Sequence, residues 1–214
     1  MILFVLPRFS GGGAERVTLN LLVELYNRGH SVGVIVFDRG GPLSHMVSDN
    51  IPIYNLDTLT LTRSIVSLVK KIRQLKPRVV FSTLGYVNVA ILSIRWFLPQ
   101  RTKIWIREAN LPSISLPNSD HSKLMTFLYR FLYRRADKVI CTSIRMKNEF
   151  ISKFSISDSI MHILPNPVNV DLIRISFKTI ERFDKGGVCY IAAGRLSFQK
   201  GFDRLLHWFS EINN

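Results

Sequence analysis

The sequence predicts an α/β fold, a Rossmann-like parallel sheet with helices on both faces. The first observation is the run Ile2–Leu6, which is continuously apolar, as is typical of a central strand buried on both sides. The second is a helical spacing of apolar residues from Ala14 to Leu25, directly after it. The third is that strand and helix then alternate along the chain, and such crossover connections require a parallel sheet.

The first half of the chain continues this alternation. Gly29 follows the first helix at the position where a C-terminal glycine ends a helix. The apolar stretch Ser31–Asp38 predicts the second strand, and Pro52–Leu56 predicts a short third one. An apolar stripe from Ile65 to Leu75 predicts an amphipathic helix, and Val79–Ser82 predicts the strand that follows it.

The second half repeats the pattern with three more strands and three more helices. Each strand is a short apolar run, and each helix has apolar residues at a spacing of three or four. In chain order we predict a helix at Val87–Phe97, a strand at Thr102–Arg107, a helix at His121–Arg135, a strand at Lys138–Thr142, a helix at Arg145–Phe154 and a strand at Met161–Leu164.

A proline-rich segment, Pro165–Asp171, breaks this rhythm and predicts a stiff connector. The pattern then restarts with "VCYIAAGRL", predicted as a buried strand, and "KGFDRLLHWFSEI", predicted as a helix. One strand and one helix cannot bury a core alone. We therefore predict an N-terminal domain at 1–165, a linker at 166–187 and the first unit of an incomplete domain at 188–214.

Composition restricts the partners and the compartment. Lys and Arg exceed Asp and Glu by 14, which favours an anionic partner: nucleotide phosphates, an acidic membrane surface or nucleic acid. Cys141 and Cys189 are predicted to be buried free thiols. The start of the chain is a poor signal peptide, and the apolar window "VNVAILSIRWFL" is too short to span a bilayer. We expect a cytoplasmic protein, with no nucleic acid as partner because no recognition motif accompanies the charge.

Three glycines, Gly11 to Gly13, separate the first strand from the first helix. Bare backbone amides and a helix N-terminus together favour a phosphate or another anion, and Arg16 adds a charge. A tight turn without a ligand is the alternative. A dinucleotide fingerprint is disfavoured because Arg16 stands where glycine or alanine is required, and Asp38 lies too far along the chain to act as its ribose-binding acid.

A second pair of cations lies near the end of the chain. Arg195 follows a predicted strand, and Lys200 precedes a predicted helix. This spacing suits a diphosphate, with a bidentate arginine and a lysine point charge, but two solvated surface charges are the commoner outcome.

Four motifs in this order resemble the retaining glycosyltransferases of family 4, which have the GT-B fold. They are "GGGAER", "RADKVICTS", "ILPNPVNVD" and, most specifically, "AAGRLSFQKGFDRLL". The resemblance runs from Met1 to about Leu206. It implies two Rossmann-like domains facing a cleft, with the acceptor mainly on the N-terminal one and the nucleotide-sugar on the other.

Carried onto this sequence, the resemblance places Gly12 and Gly13 against the donor, and Arg195 and Lys200 on its diphosphate as the glycosidic bond breaks. It implies no cofactor and no metal, and the five histidines show no ligand spacing. The family's glutamate-containing motif lies beyond residue 214, so we expect the chain to be inactive by itself.

The acceptor side is expected at "IWIREANLPS", where Arg107, Glu108 and Asn110 follow a strand. A carboxylate there accepts a hydrogen bond from a sugar hydroxyl, and an arginine pairs with an acceptor phosphate. In the resembling family this loop reaches the reaction centre, which makes the three residues catalytic candidates. A local Arg–Glu pair with a loop cap is the alternative.

The predicted helix "KLMTFLYRFLYRR", Lys123–Arg135, carries an apolar stripe beside tyrosines and arginines. Core packing is the leading interpretation of the stripe, formed by Leu124, Phe127, Leu128, Phe131 and Leu132. An interfacial helix on an anionic membrane is the alternative, because aromatic and cationic side chains both favour that surface.

The sequence therefore predicts a glycosyltransferase that moves a sugar from a nucleotide-sugar to a glycan or lipid-linked acceptor in cell-surface polysaccharide or lipopolysaccharide synthesis, peripheral at the inner face of the membrane. The alternative is a non-catalytic module that binds sugar or lipid phosphate and pairs with a partner chain.

Overall fold

The computed structural model describes residues 1–58, 61–119, 121–168, 170, 174, 190–194, 196 and 200–212. It divides the chain into two compact units, Met1–Val170 and Asp171–Asn214. The first unit contains the whole described sheet, and the second contains one described helix.

Seven strands, as far as the structure describes the chain, form one sheet in which every pairing is parallel. The strands are β1 (Ile2–Leu6), β2 (Val32–Val36), β3 (Ile53–Asn55), β4 (Val79–Thr83), β5 (Lys103–Arg107), β6 (Lys138–Cys141) and β7 (Met161–Ile163). Their order across the sheet is β3-β2-β1-β4-β5-β6-β7. The predicted Rossmann-like α/β fold is confirmed.

A loop with one 3₁₀ turn, Ser44–Met46, joins β2 to β3. Helices connect the other consecutive strands, as is usual for crossovers between parallel strands. They are α1 (Gly13–Asn27), α2 (Leu61–Leu75), α3 (Gly85–Ser93), α4 (Pro112–Ser115), α5 (Ser122–Leu132) and α6 (Ile144–Phe154), with α7 (Phe202–Ile212) in the second unit. Single 3₁₀ turns at Arg95–Phe97 and Tyr133–Arg135 follow α3 and α5. The helix predicted at Val87–Phe97 is therefore shorter and begins two residues earlier.

Two apolar cores lie on opposite faces of the sheet, because alternate side chains of a strand point to opposite sides. On one face Leu3 and Val5 belong to a core that includes Leu68 of α2 and Phe150 of α6. On the other face Phe4 belongs to a core that includes residues of α1. Both faces of the central strands are thus covered, which explains why their sequences are continuously apolar.

Helix α5 buries only part of the predicted apolar stripe: Leu132 lies in the core and Leu128 packs against it. Tyr129, Leu132 and Tyr133 are buried, whereas Leu124, Phe127 and Phe131 are each more than half exposed. The core-packing prediction is therefore wrong for three members of the stripe, Leu124, Phe127 and Phe131, which form its exposed part. The tyrosines face inward because their hydroxyl groups find a buried hydrogen-bond acceptor, Glu108.

The described part of "VCYIAAGRL" is not a buried strand. Residues 190–194 have no strand structure, and Tyr190 and Ile191 are 71% and 90% exposed. A strand requires a neighbour that satisfies its backbone hydrogen bonds, and the described residues of this unit supply none. The predicted helix after Gly201 is present as α7.

Two further expectations have a structural counterpart. Cys141 is a buried free thiol, and Cys189 lies outside the described residues. No helix in the described part of the chain is both long and apolar enough to cross a lipid bilayer.

Candidate functional site

The carboxyl ends of the seven strands meet at one edge of the sheet, and the candidate residues of the first unit lie there. The strand order reverses between β1 and β4, since the chain adds β2 and β3 on one side of β1 and β4 to β7 on the other. In open α/β sheets ligands bind in the crevice outside such a reversal. The turns after β1, β2, β4 and β5 surround it.

The glycine turn after β1 leads into α1 as predicted. Gly12 is the N-cap of α1 without any side-chain cap, and Gly13 is its first residue. An added Cβ at Gly13 would meet nothing within 4 Å, whereas at Gly12 it would overlap the carboxylate of Glu15. Glu15 complements the positive end of the helix dipole. A phosphate approaching Gly12 therefore has to displace this carboxylate.

Arg107 ends β5 and is almost completely buried, at 1% exposure. Its Nη1 donates to Thr83 at 3.4 Å, and its Nη2 donates to the side-chain oxygen of Asn166. Its Nε is buried with no partner among the described residues. Burial lowers the pKa of this guanidinium, although the charge of Glu108 opposes that effect.

Glu108 lies in a buried hydrogen-bond network that includes the backbone carbonyl of Arg107, which accepts from Asn88 Nδ2 at 3.0 Å. Its Oε1 accepts from Asn88 Nδ2 at 2.7 Å, from Tyr129 at 3.3 Å and from Tyr133. Asn88 is held in turn by Ser82, whose hydroxyl donates to Asn88 Oδ1 at 2.7 Å. The network joins β4, α3, β5 and α5, and no Arg107–Glu108 ion pair is present among the described residues.

Burial raises the pKa of Glu108 to about 7, although the three hydrogen bonds and Arg107 favour its charged form. Desolvation is the largest effect because the carboxyl group is removed from water on all sides. A carboxyl group with this pKa exchanges a proton near neutral pH, which is a property of acid–base catalysts and also of buried structural carboxyls.

The remaining predicted site residues are not brought into this network. Asn110 is exposed on the loop after β5, beyond Glu108. Lys200 is exposed in the second unit, where its side chain lies beside Gly194. Arg195 lies outside the described residues. The catalytic and donor-binding roles of these three residues, and of the predicted site residues described above, stay predictions.

The hydrogen-bond partners of Glu108 were not predicted from the sequence. Tyr129 and Tyr133 are four residues apart on one helical face, and their rings stack at 4.2 Å between centroids. That spacing was visible in the sequence, but nothing in it identified Glu108 as their common acceptor. Gly85 belongs to the same cluster, because a Cβ there would overlap the Tyr129 hydroxyl.

A pocket at the reversal of strand order was also not predicted from the sequence. Arg8, Asp38, Thr58 and Tyr86 line it, with Phe37 among its apolar walls. Arg8 Nε pairs with Asp38 at 3.0 Å. Partial burial, together with the charge of Glu15, raises the pKa of Tyr86 and keeps its hydroxyl protonated. Each residue follows a strand, so the signal was their common position at the carboxyl edge.

No group of three His, Cys, Asp or Glu side chains in the described ranges is arranged to hold a metal ion.

Comparison with known proteins identifies relatives of this chain. It is 27% identical over 213 residues to an uncharacterized glycosyltransferase of Haemophilus influenzae, covering 95% of the chain and 55% of that protein. It is also 27% identical to N-acetylgalactosamine-N,N'-diacetylbacillosaminyl-diphospho-undecaprenol 4-alpha-N-acetylgalactosaminyltransferase of Campylobacter jejuni, covering 95% of the chain and 57% of that protein. The chain thus spans about half the length of the curated relatives it matches.

A solved structure shows the same fold. Alr3699/HepE from Anabaena, crystallised with UDP and glucose, matches 80% of this chain and 45% of its own with a TM-score of 0.62 and 17% identity. The sequence profile described as Glycosyltransferase Family 4 matches residues 11–172, which is most of the chain. The chain therefore belongs to glycosyltransferase family 4.

Proposed function

We propose that this chain provides the acceptor-binding half of a retaining glycosyltransferase. The complete enzyme would move a hexose-type sugar from a nucleotide-sugar to a glycan or lipid-linked acceptor during synthesis of a cell-surface polysaccharide or lipopolysaccharide. The observation that carries this proposal is the polar crevice at the reversal of strand order, because family membership alone does not locate an acceptor. No cofactor besides the donor substrate is proposed.

We propose a role for each site residue from the family resemblance and, where the structure describes the residue, from its position. Gly13 offers an open backbone amide at a helix N-terminus, which suits a donor phosphate or sugar hydroxyl. Arg107 is buried at the end of β5, where it donates to Thr83, and would act through its positive charge. Asn110, which is exposed, would contact the acceptor, whereas the buried Glu108 would act only through the proton that it exchanges near pH 7. Lys200, with Arg195, would hold the donor diphosphate.

A binding and transfer assay tests the proposal. The acceptor probe is a farnesyl-diphosphate-linked N-acetylhexosamine disaccharide, and the donors are UDP-sugars and GDP-mannose. We expect the 214-residue chain to bind the acceptor saturably without transferring sugar. A form extended to the full length of its relatives should transfer sugar from one donor. An extended form that neither binds the acceptor nor transfers sugar contradicts the proposal, whereas acceptor binding without any transfer favours the non-catalytic module.

The exposed stripe of α5 supports a membrane-bound acceptor. Leu124, Phe127 and Phe131 are 54%, 56% and 52% exposed, and the rings of Phe127 and Phe131 contact each other at 4.3 Å between centroids. Exposed basic residues flank the stripe at Lys123, Arg130, Arg134 and Arg135. This arrangement suits an anionic leaflet, because the rings enter the interface while the cations attract lipid headgroups.

We therefore expect the chain to co-sediment with phosphatidylglycerol vesicles and to dissociate as salt is raised. Replacing Phe127 and Phe131 together by serine should weaken vesicle binding at least about tenfold, since each ring contributes roughly 2 kcal/mol of apolar transfer. Val66→Ser is the matched control, because Val66 is 62% exposed and lies on a different helix, α2. Equal binding by the double variant and the original chain would exclude this surface.

A further inference from the structure

The pocket lined by Arg8, Asp38, Thr58 and Tyr86 lies at the reversal of strand order, and none of the predicted site residues lines it. Its five polar side chains, those four and Ser10, come from the turns after β1, β2 and β3 and from the start of α3. The pocket therefore lies at the carboxyl edge of the sheet, within the first unit.

The walls of the pocket are held by backbone hydrogen bonds. The amides of Phe37 and Asp38 both donate to the carbonyl of Pro7 at 3.0 Å, which joins the turns after β1 and β2. The amide of Thr58 donates to the carbonyl of Phe37 at 2.8 Å, which joins the turn after β3. A pocket with fixed walls binds a ligand without first having to order its own loops.

The charges in the pocket compensate each other. Arg8 is paired with Asp38 Oδ2, and Asp38 Oδ1 also accepts the amide of Gly40 at 2.9 Å. The charge of Glu15 acts on Tyr86 from nearby. A phosphate entering here would gain one cation that is already paired and would face the carboxylate of Asp38, with the charge of Glu15 acting on the same site. The electrostatics therefore disfavour an anion.

The same groups suit a ligand that carries two adjacent hydroxyl groups. Arg8 and Asp38 side chains are 55% and 31% exposed, so an incoming ligand can reach both a donor and an acceptor. The protonated hydroxyl of Tyr86 donates or accepts a further bond. The Tyr86 ring, whose residue is 47% exposed, provides an apolar surface on which the C–H groups of a sugar ring can pack.

We propose that this pocket binds an uncharged sugar ring of the acceptor, with two adjacent hydroxyls between Arg8 and Asp38 and the ring against Tyr86. This inference rests on the proposed function and specifies its acceptor. The acceptor then carries a sugar before this enzyme acts on it. A reaction that attaches the first sugar to the lipid or glycan primer must therefore precede this one.

Titration of the chain with methyl glycosides of hexoses and N-acetylhexosamines, followed by amide NMR, tests the inference. At least one glycoside should shift the amides of Asp38 and Thr58 and saturate. Asp38→Asn should weaken that binding at least about tenfold, since a hydrogen bond to a charged acceptor is lost. Tyr86→Leu should weaken it similarly, whereas Tyr86→Phe, which keeps the ring, should retain most of it.

Asp49→Asn is the matched control, because Asp49 is an exposed acid on the loop before β3. It should bind the glycoside as the original chain does, and thermal melting shows that each variant is folded. Glycoside binding that is unchanged in both Asp38→Asn and Tyr86→Leu overturns the inference. Stronger binding of inorganic phosphate than of any glycoside at these amides overturns it as well.

The two proposals fail in different ways. If the extended form transfers sugar to farnesyl phosphate but not to the glycosylated probe, the pocket inference is wrong and the glycosyltransferase proposal stands. If glycoside binding depends on Asp38 and the extended form transfers nothing, the pocket inference stands and the proposed function is wrong.

Discussion

Replacing Gly41 by alanine is expected to lower the free energy of unfolding by about 3 kcal/mol, because the change combines backbone strain with a steric overlap. Gly41 has a φ of 133°, a conformation that L-residues rarely adopt. An added Cβ would also overlap the carbonyl of Phe9. That carbonyl accepts the amide of Leu43 at 3.0 Å, and the amide of Phe9 donates to Gly40 at 3.1 Å. Both bonds hold the turns beside the pocket.

Urea denaturation of the variant measures this loss, and Gly13→Ala is the control. Position 13 has open space for a Cβ and lies at the start of α1. The free energy of unfolding of Gly13→Ala should therefore differ from that of the original chain by no more than about 0.5 kcal/mol. If Gly13 contacts the donor as proposed, the extended form of this control should nevertheless lose transfer activity. A Gly41→Ala variant as stable as Gly13→Ala would show that the turn relaxes without cost.

The second large effect expected is a pH dependence of stability that originates at Glu108. Its pKa is about 7 in the fold against an ordinary value of 4.5, so the folded chain binds more protons than the unfolded chain between these values. Stability from this group therefore falls as pH rises from 4.5 to 7 and is constant above that. Over this interval the contribution of Glu108 to the free energy of unfolding falls by about 3 kcal/mol.

Glu108→Gln should remove this dependence, because an amide oxygen still accepts from Asn88, Tyr129 and Tyr133 without carrying a charge. We expect the variant to be more stable than the original chain at pH 8 and similar to it near pH 4, in urea denaturation at both values. Glu24→Gln, at an exposed ion pair with Arg28, should keep the original slope. A slope that persists in Glu108→Gln would assign the dependence to other groups.

The same variant separates two roles of Glu108. If the carboxyl group is only structural, the extended form of Glu108→Gln should keep its transfer activity across pH 6 to 8. If Glu108 exchanges a proton with the acceptor, activity should be lost while stability rises. The pH profile of transfer thus decides whether Glu108 is a structural carboxyl group or exchanges a proton with the acceptor.

The order of strands and helices followed from the sequence because a parallel sheet buried on both faces imposes continuous apolar runs. Ile2–Leu6 was predicted with its exact bounds, and β5 and β6 differ by one residue at one end. The short strand β3 and the start of α3 were less well placed. Helix α3 is apolar all round, so periodicity does not mark where it begins or ends.

The site was predicted only in outline. Arg107, which ends β5, and Glu108, which follows it, were placed correctly at the carboxyl edge. Their partners were not, because Asn166 lies 59 residues from Arg107 in the chain and Tyr133 lies 25 from Glu108. Such contacts depend on how a helix is rotated about its axis, and the apolar stripe of α5 did not determine this rotation. Leu124, Phe127 and Phe131 are exposed, whereas the two tyrosines are buried.

Gly85 and Tyr129 constrain each other across the molecule. A methyl group at position 85 and a hydroxyl at position 129 compete for the same space. Homologous sequences should therefore substitute the two sites together: where glycine 85 has become alanine or serine, phenylalanine or a smaller residue should stand at 129. Such a correlated pair would record, across evolution, how closely the start of α3 approaches α5.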